Sequence, residues 1–317
     1  MESIIHHLTS LQEIRIAGFL SVVSSLANCL PKSLQKLEIK NCRKLEFLEQ
    51  QQQQKYDLVE LRIYSSCDSL ASLSLDAFPI LKNLEIGYCA NLESISMSEP
   101  PHNALQSLTI YECLKLVSLT KEGLAAPNLT HLHVKFCKTL EALPPNMDTL
   151  LPNLQSLDVE YCRGISRFPK GGLPPNLKSL CMNRNEGQLK GLSSMGKFEA
   201  LTHLVIHGFG SRRVKSFPEV GLLPHLPSLT TLEIIRLVDL ETLDCNELHR
   251  LTSLQQLHIK CCLELENMAG EKLPSSLLLL QIEECPLLEK GCKNKHQDIW
   301  PKICHIPTIK VNSKQIF

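Results

Sequence analysis

Hydrophobic positions along this chain follow one recurring pattern, Leu-x-x-Leu-x-Ile-x-x-Cys, plainest in Leu81-Lys82-Asn83-Leu84-Glu85-Ile86-Gly87-Tyr88-Cys89. Close copies run from Leu34 to Cys42, Leu105 to Cys113, Leu129 to Cys137, Leu154 to Cys162, Leu254 to Cys262 and Leu277 to Cys285. Looser copies begin at Leu11, Leu58, Leu177, Leu201 and Leu229, which makes twelve starts spaced 23 to 28 residues apart. Within each copy the central apolar pair, such as Leu84 and Ile86, is two residues apart, so both side chains fall on one face of a strand while their neighbours face the other way. The pattern therefore predicts a short strand in every copy.

One such strand cannot bury its apolar face alone, but stacked copies share a continuous core. A period of this size with this core pattern is the signature of a leucine-rich repeat. The expected fold is an α/β leucine-rich-repeat solenoid of about 12 coils over residues 1–285, with a curved parallel sheet on the concave face. The Leu-x-x-Leu after each cysteine, as in Leu92 with Ile95 and Leu140 with Leu143, points into the same core. Prolines stand just before many of the first leucines (Pro79, Pro101, Pro127, Pro152, Pro175, Pro227, Pro274). Proline fixes φ and removes a donor, so mostly irregular or 3-10 outer arcs are expected. Residues 286–317 break the pattern and read as a C-terminal cap in which Trp300, Ile303 and Ile306 cover the last coil.

Three segments interrupt the regularity. Residues 1–10 look like the tail of an earlier coil, and no capping helix precedes them. The run Gln50 to Gln54 reads as a solvated outer loop, and Arg212, Arg213 and Lys215 fill the excess of the longest coil as an outward bulge.

Composition narrows the function. Lys plus Arg and Asp plus Glu number 33 each, a balance that argues against general nucleic-acid or membrane-surface binding. No run of 18 apolar residues implies a transmembrane span, and the first residues lack the basic-then-apolar order of a signal peptide. Of the 14 cysteines, Cys42, Cys89, Cys113, Cys137, Cys162, Cys262 and Cys285 hold one repeat position, with Cys67 there after a one-residue insertion. They are expected as a structural ladder of buried, reduced thiols, which suits an intracellular compartment.

No catalytic constellation emerges. Cys292, His296, Cys304 and His305 have metal-ligand types without the paired spacing of a zinc finger, and no metal is expected. His131, His133 and Asp158 fall on one sheet face and read as polar surface. The candidate partner-binding residues lie on the outward positions of the strands: Tyr64, Tyr88, Tyr111, Lys135, Phe136, Asp158, Glu160, Tyr161, Arg184, His207 and Arg236. Tyrosine and arginine offer large contact area with a polar tip and dominate protein interfaces.

The coils, the runs Ser65-Ser66-Cys67-Asp68-Ser69-Leu70, Asn91-Leu92-Glu93-Ser94 and Gly172-Leu173-Pro174-Pro175-Asn176-Leu177, and the ending from Cys285-Pro286-Leu287-Leu288-Glu289 to Trp300-Pro301-Lys302-Ile303 resemble the repeat region of plant coiled-coil NB-LRR disease-resistance proteins. The resemblance covers essentially the whole chain. It implies a non-enzymatic recognition module of an intracellular, cytoplasmic or also nuclear immune receptor. The partners it implies are proteins: a pathogen effector, a guarded host protein, or the receptor's own nucleotide-binding domain. No phosphate loop of the form GxxxxGK followed by Ser or Thr occurs, and no heptad stretch, so coiled-coil and nucleotide-binding domains are absent from the chain. ADP or ATP is implied only for such a missing domain, and no cofactor for these repeats. The alternative reading is the substrate-recognition repeats of a ubiquitin-ligase adaptor, which would need an F-box-like segment ahead of the repeats.

Overall fold

The structure is a computed structural model that describes residues 10–19, 30–46, 55–98, 101–165, 168–169, 171–183, 198–208 and 215–316. The Gln50 to Gln54 run, Arg184, Arg212 and Arg213 lie outside the described residues. The chain forms two compact units: Met1–Ile165 with Pro169–Pro174, and Ser166–Phe168 with Pro175–Phe317.

In the first unit the strands Glu13–Ala17, Lys36–Lys40, Glu60–Tyr64, Asn83–Gly87, Ser107–Tyr111, His131–Lys135 and Ser156–Glu160 pair in parallel, each with the next. The register is constant, so equivalent residues stand side by side. Leu37, Leu61, Leu84, Leu108, Leu132 and Leu157 form one buried row, and Ile39, Ile63, Ile86, Ile110, Val134 and Val159 form the next. Parallel sheets are usually covered on both faces. Here the alternate positions are mostly polar or aromatic, so one face takes the coil's own core and the other meets water.

The second unit repeats this arrangement with the parallel strands Ser179–Asn183, His203–His207, Thr231–Ile235, Gln256–Lys260, Leu279–Glu283 and Thr308–Val311. The sheet thus runs on past Cys285. The segment expected as a cap contains a further coil, in which Ile306, Ile309 and Val311 take the three apolar positions and are buried. The spacing Ile-x-x-Ile-x-Val is the same motif without its leucines and cysteine, which is why it escapes a leucine-based reading. Lys314–Gln315 turns back antiparallel to Thr308–Val311 and protects that edge. Ile299, Ile303 and Ile306 are buried, whereas Trp300 is only half-buried, with Lys295 Nζ 4.9 Å from its ring centroid. Of the three residues expected to cover the last coil, Ile303 and Ile306 are buried and Trp300 is not; Ile299 joins the two isoleucines.

The side of the coil away from the main sheet is partly regular. Ser72–Ser74, Ser94–Ser96 and Ser118–Leu119 form a short parallel ribbon in the first unit. Ser216–Phe217, Thr242–Asp244 and Asn267–Ala269 form another in the second. Elsewhere among the described residues the arcs are turns, a 3-10 turn at Leu75–Ala77 and helices of four or five residues at Met147–Leu150 and Cys245–His249. The longest helix among the described residues, Pro286–Lys293, is tied to the last coil by Glu289, which accepts from the Cys285 N–H at 3.0 Å and from Asn312 Nδ2 at 2.6 Å.

Candidate functional site

Most strands of the main sheet end in the same sharp turn. The residue after the strand has a positive φ: Asn41 (54°), Ser65 (48°), Tyr88 (57°), Glu112 (49°), Phe136 (57°) and Tyr161 (56°) in the first unit. Arg236, Cys261, Glu284 and Asn312 repeat the turn in the second. At most of these turns the N–H donates to the carbonyl that ends the next strand, as from Tyr88 to Tyr111 at 3.0 Å and from Phe136 to Glu160 at 2.8 Å; at Glu284 it donates to Asn312 Oδ1 instead. Left-handed backbone costs a non-glycine residue about 1–2 kcal/mol. The stacked hydrogen bonds of neighbouring coils hold it there.

The cysteine completes this turn. Its thiol donates to the carbonyl two residues back: Cys42 to Lys40 at 3.2 Å, Cys137 to Lys135 at 3.5 Å, Cys162 to Glu160 at 3.5 Å and Cys262 to Lys260 at 3.5 Å. All eight cysteines named for the ladder are buried free thiols. One of them is off the rung. Ser66 stands where the pattern puts the third coil's cysteine, donates to Tyr64 O at 2.7 Å and accepts the Cys42 N–H at 2.9 Å. Cys67 lies one residue further, buried at φ 57°, and desolvation pushes its thiol pKa up.

The turn splits the candidate residues into two groups. Tyr64, Tyr111, Lys135, Asp158, Glu160 and His207 belong to the strands and alternate with the core positions. Tyr88, Phe136, Tyr161 and Arg236 occupy the left-handed turn position instead. Phe136 and Tyr161 stack with centroids 4.5 Å apart and planes 8° from parallel. Tyr161 is only 8 % exposed, as is His207, so both are largely withdrawn from solvent. Arg184 falls outside the described residues.

What faces water in the first unit is an aromatic cluster beside charged side chains. The Tyr111 ring is 5.1 Å from Tyr88, edge-on, and 6.0 Å from Tyr64. Lys40 Nζ lies 5.0 Å from the Tyr64 centroid. Burial, with Glu85 close by, pushes the Tyr111 phenol up to about 12 and raises Tyr64 also. On the strand next to that of Tyr111, Lys135 Nζ is held by Asp158 Oδ2 at 2.7 Å and Glu160 Oε2 at 3.1 Å. Ion pairs also link Arg15 to Glu38 (3.4 Å), Lys36 to Glu60 (3.6 Å) and Arg62 to Glu85 (3.7 Å).

His133 Nε2 is 3.1 Å from Ser156 Oγ, with Asp158 on the paired position of the next strand. The three do not form a nucleophile, base and orienting acid. Asp158 gives Oδ2 to Lys135, and its buried Oδ1 has no hydrogen-bond partner. Burial pulls the His133 pKa down, against the opposing pull of Asp158. Among the described residues no group of three His, Cys, Asp or Glu side chains is placed to hold a metal ion, and no helix is long and apolar enough to cross a membrane.

The second unit presents a different face. Lys260 Nζ lies 3.8 Å from both Glu233 and Glu283, and His258 Nδ1 is 4.0 Å from Glu233. Cys181, Val205 and Ile235 make the rest of this face less polar.

Stacked parallel strands with an in-register leucine core and a solvent-facing sheet define a leucine-rich-repeat solenoid. No protein-family model matches the chain. A protein of Arabidopsis thaliana named for disease resistance is 31% identical over 319 aligned positions, which cover 99% of this chain and 22% of the relative. A disease resistance RPP13-like protein of the same plant is 34% identical over 124 positions, covering 38% of this chain and 12% of the relative. The chain is thus related to the plant disease-resistance proteins, as the residues themselves suggested, and spans about a fifth of the length of the first relative.

Proposed function

We propose that this chain is a non-catalytic recognition module in plant defence, acting inside the cell, and that the solvent-facing sheet of its first unit binds a protein. The partner is a pathogen effector or a host protein under guard. The observation that carries this reading is the cluster of Tyr64, Tyr88 and Tyr111 on an open face, with Tyr88 48 % exposed. Large aromatics turned to water on a rigid sheet cost little ordering entropy when a partner covers them, and a few such residues carry most of the energy of an interface. The resistance proteins to which the chain is similar support the setting.

The test is a plant cell-death assay with these repeats placed in a disease-resistance receptor and its cognate trigger supplied. Tyr88→Ala with Tyr111→Ala is expected to abolish the response while circular dichroism of the repeats stays unchanged. Lys121→Ala, in the turn after the Ser118–Leu119 strand, is expected to leave it intact. A normal response from the tyrosine double variant would move recognition off this face.

A further inference from the structure

Past the rungs of the cysteine ladder the chain turns outward, and the next residue is exposed. In the first unit this position takes Arg43, Ala90, Leu114, Lys138 and Arg163. The turn accepts charge there, so the core does not require an apolar side chain. In the second unit the equivalent residues of three adjacent coils are Val238, Leu263 and Pro286, with Leu287 beside the proline. Val238 is 47 %, Leu263 49 % and Leu287 40 % exposed. A single exposed leucine is ordinary on a protein surface, whereas a contiguous apolar row rimmed by polar groups marks a place where something docks.

The row is regular and has free acid along one border. The Leu240 N–H donates to Leu237 O at 3.1 Å and the Leu265 N–H to Cys262 O at 3.4 Å, so the two turns share one shape and Val238 stands beside Leu263. The strands that lead into these turns pair in constant register, which sets successive residues of the row about 4.8 Å apart. Asp239 and Glu264 come next in the turns, both exposed, and neither carboxylate has a partner among the described residues. Glu241 and Glu266 follow on the same arc, and Glu241 is held by Lys215 at 2.9 Å. On the sheet side the row borders Arg236, Cys261 and Glu284, where the Cys261 thiol donates to Glu284 at 3.2 Å and the two charges are opposite. Lys290, one helical turn past Leu287, stands at the far end.

We infer that this rim of the second unit docks an amphipathic helix of another protein, lying along the stack, with its apolar stripe on Val238, Leu263 and Leu287 and basic side chains on Asp239 and Glu264. A helix, rather than a strand, follows from the spacing. Side chains at i, i+3 or i+4, and i+7 on one helix face recur about every 4.5–6 Å along the axis, close to the coil spacing. Same-face side chains of a strand recur about every 6.6 Å and fall out of step with the coils. A basic border, rather than an acidic one, follows from the two unpartnered carboxylates, which lie one coil apart and face lysines or arginines one helical turn apart. The same carboxylates repel an anionic membrane surface, which leaves protein as the occupant. The surface belongs to the second unit, and its role does not rest on that of the tyrosine face.

The test is fluorescence anisotropy with the full chain and the labelled peptide Leu-Lys-Ala-Ala-Leu-Lys-Gln-Leu-Lys-Ala-Ala-Leu-Lys-Gln, which as a helix carries leucines on one face and lysines along its border. The comparisons are the same peptide with glutamate for lysine, and one of the same composition whose leucines no longer share a face. The lysine peptide is expected to bind about tenfold more tightly than either comparison, and to weaken as salt is raised. Val238→Ser with Leu263→Ser, both at half-exposed positions, is expected to lose about tenfold in affinity while circular dichroism stays unchanged. Asp239→Asn with Glu264→Gln is expected to remove most of the preference for lysine over glutamate. Tyr88→Ala with Tyr111→Ala is expected to bind the peptide as the parent chain does. Equal binding of the rearranged peptide, undiminished binding by the serine variant, a lysine preference that survives in the amide variant, or loss of binding in the tyrosine variant would overturn the inference.

Discussion

Tyr64 and Tyr111 belong to strands that are not neighbours, yet their ring centroids lie 6.0 Å apart. The strand between them places Gly87 at the equivalent position, paired with Tyr64 on one side and Tyr111 on the other. The Tyr111 ring occupies the space a side chain there would fill. A Cβ on Gly87 would come within 2.4 Å of its ring atoms. The glycine is needed here for close approach.

Gly87→Ala therefore tests the cluster without touching a tyrosine. The added methyl is expected to displace the Tyr111 ring at a cost of about 1 kcal/mol, the low end for overpacking because the ring can swing outward. Urea denaturation reads the cost. The near-ultraviolet circular dichroism of the tyrosines is expected to weaken while the far-ultraviolet signal holds. An unchanged near-ultraviolet spectrum would mean the ring does not lie over Gly87.

The raised phenols give the fold an alkaline limit. Burial, and Glu85 close by, make the Tyr111 phenolate unfavourable and move its pKa up to about 12; Tyr64 moves in the same direction. An unfolded tyrosine titrates near pH 10. Between about pH 10 and 12 the folded chain keeps protons that the unfolded chain releases, so stability contributed by these phenols is present below pH 10 and falls as pH rises through that window. Denaturation midpoints measured from pH 9 to 11.5 are expected to decline, and Tyr64→Phe with Tyr111→Phe to flatten the decline. An equally steep decline in the double variant would place the effect elsewhere.

The solenoid was legible in the sequence because a strand's period of two and a coil's fixed length both leave a mark in the positions of leucine. Leu84, Ile86 and Cys89 could be assigned to core and turn from spacing alone. The left-handed residue was not legible, because Tyr88, Glu112, Phe136 and Arg236 share no side-chain chemistry. The backbone conformation there is imposed by neighbouring coils, and only Asn41 and Asn312 are residue types that favour it. The repeat position directly before Cys162 assigns Tyr161 to the outward face, whereas the structure stacks it on Phe136 and leaves it 8 % exposed. The final coil escapes a leucine-based reading because its isoleucines and valine keep the spacing without the leucines. The aromatic cluster was half legible: the tyrosines could be assigned to one face, but their convergence depends on Gly87, an unremarked small residue on the intervening strand.

Ser66 shows that the rung position needs a donor and acceptor more than it needs sulfur. Its hydroxyl bonds Tyr64 O and the Cys42 N–H at once. Ser66→Cys is expected to be tolerated, since thiols close the same turn in the other coils. Ser66→Ala leaves the buried Cys42 N–H without its partner and is expected to cost about 1–3 kcal/mol. Parallel denaturation curves of the two variants decide this. Equal losses would show that volume, not the hydrogen bond, governs the rung.

Leu157 tests how far damage travels along the stack. It sits in the leucine row of the Ser156–Glu160 strand and is 1 % exposed. Leu157→Ala removes most of a buried side chain and is expected to cost about 2–5 kcal/mol, depending on how far the coil collapses into the space. A repeat protein is held by contacts between adjacent coils, so the loss enters the interface with the neighbouring coil before it reaches any other. Amide hydrogen exchange is therefore expected to rise most in the strands Ser156–Glu160 and His131–Lys135. The strand Lys36–Lys40, four strands removed from His131–Lys135 in the same unit, is expected to exchange as before. Exchange that rises equally in all of these strands would mean that the first unit unfolds as one cooperative block rather than coil by coil.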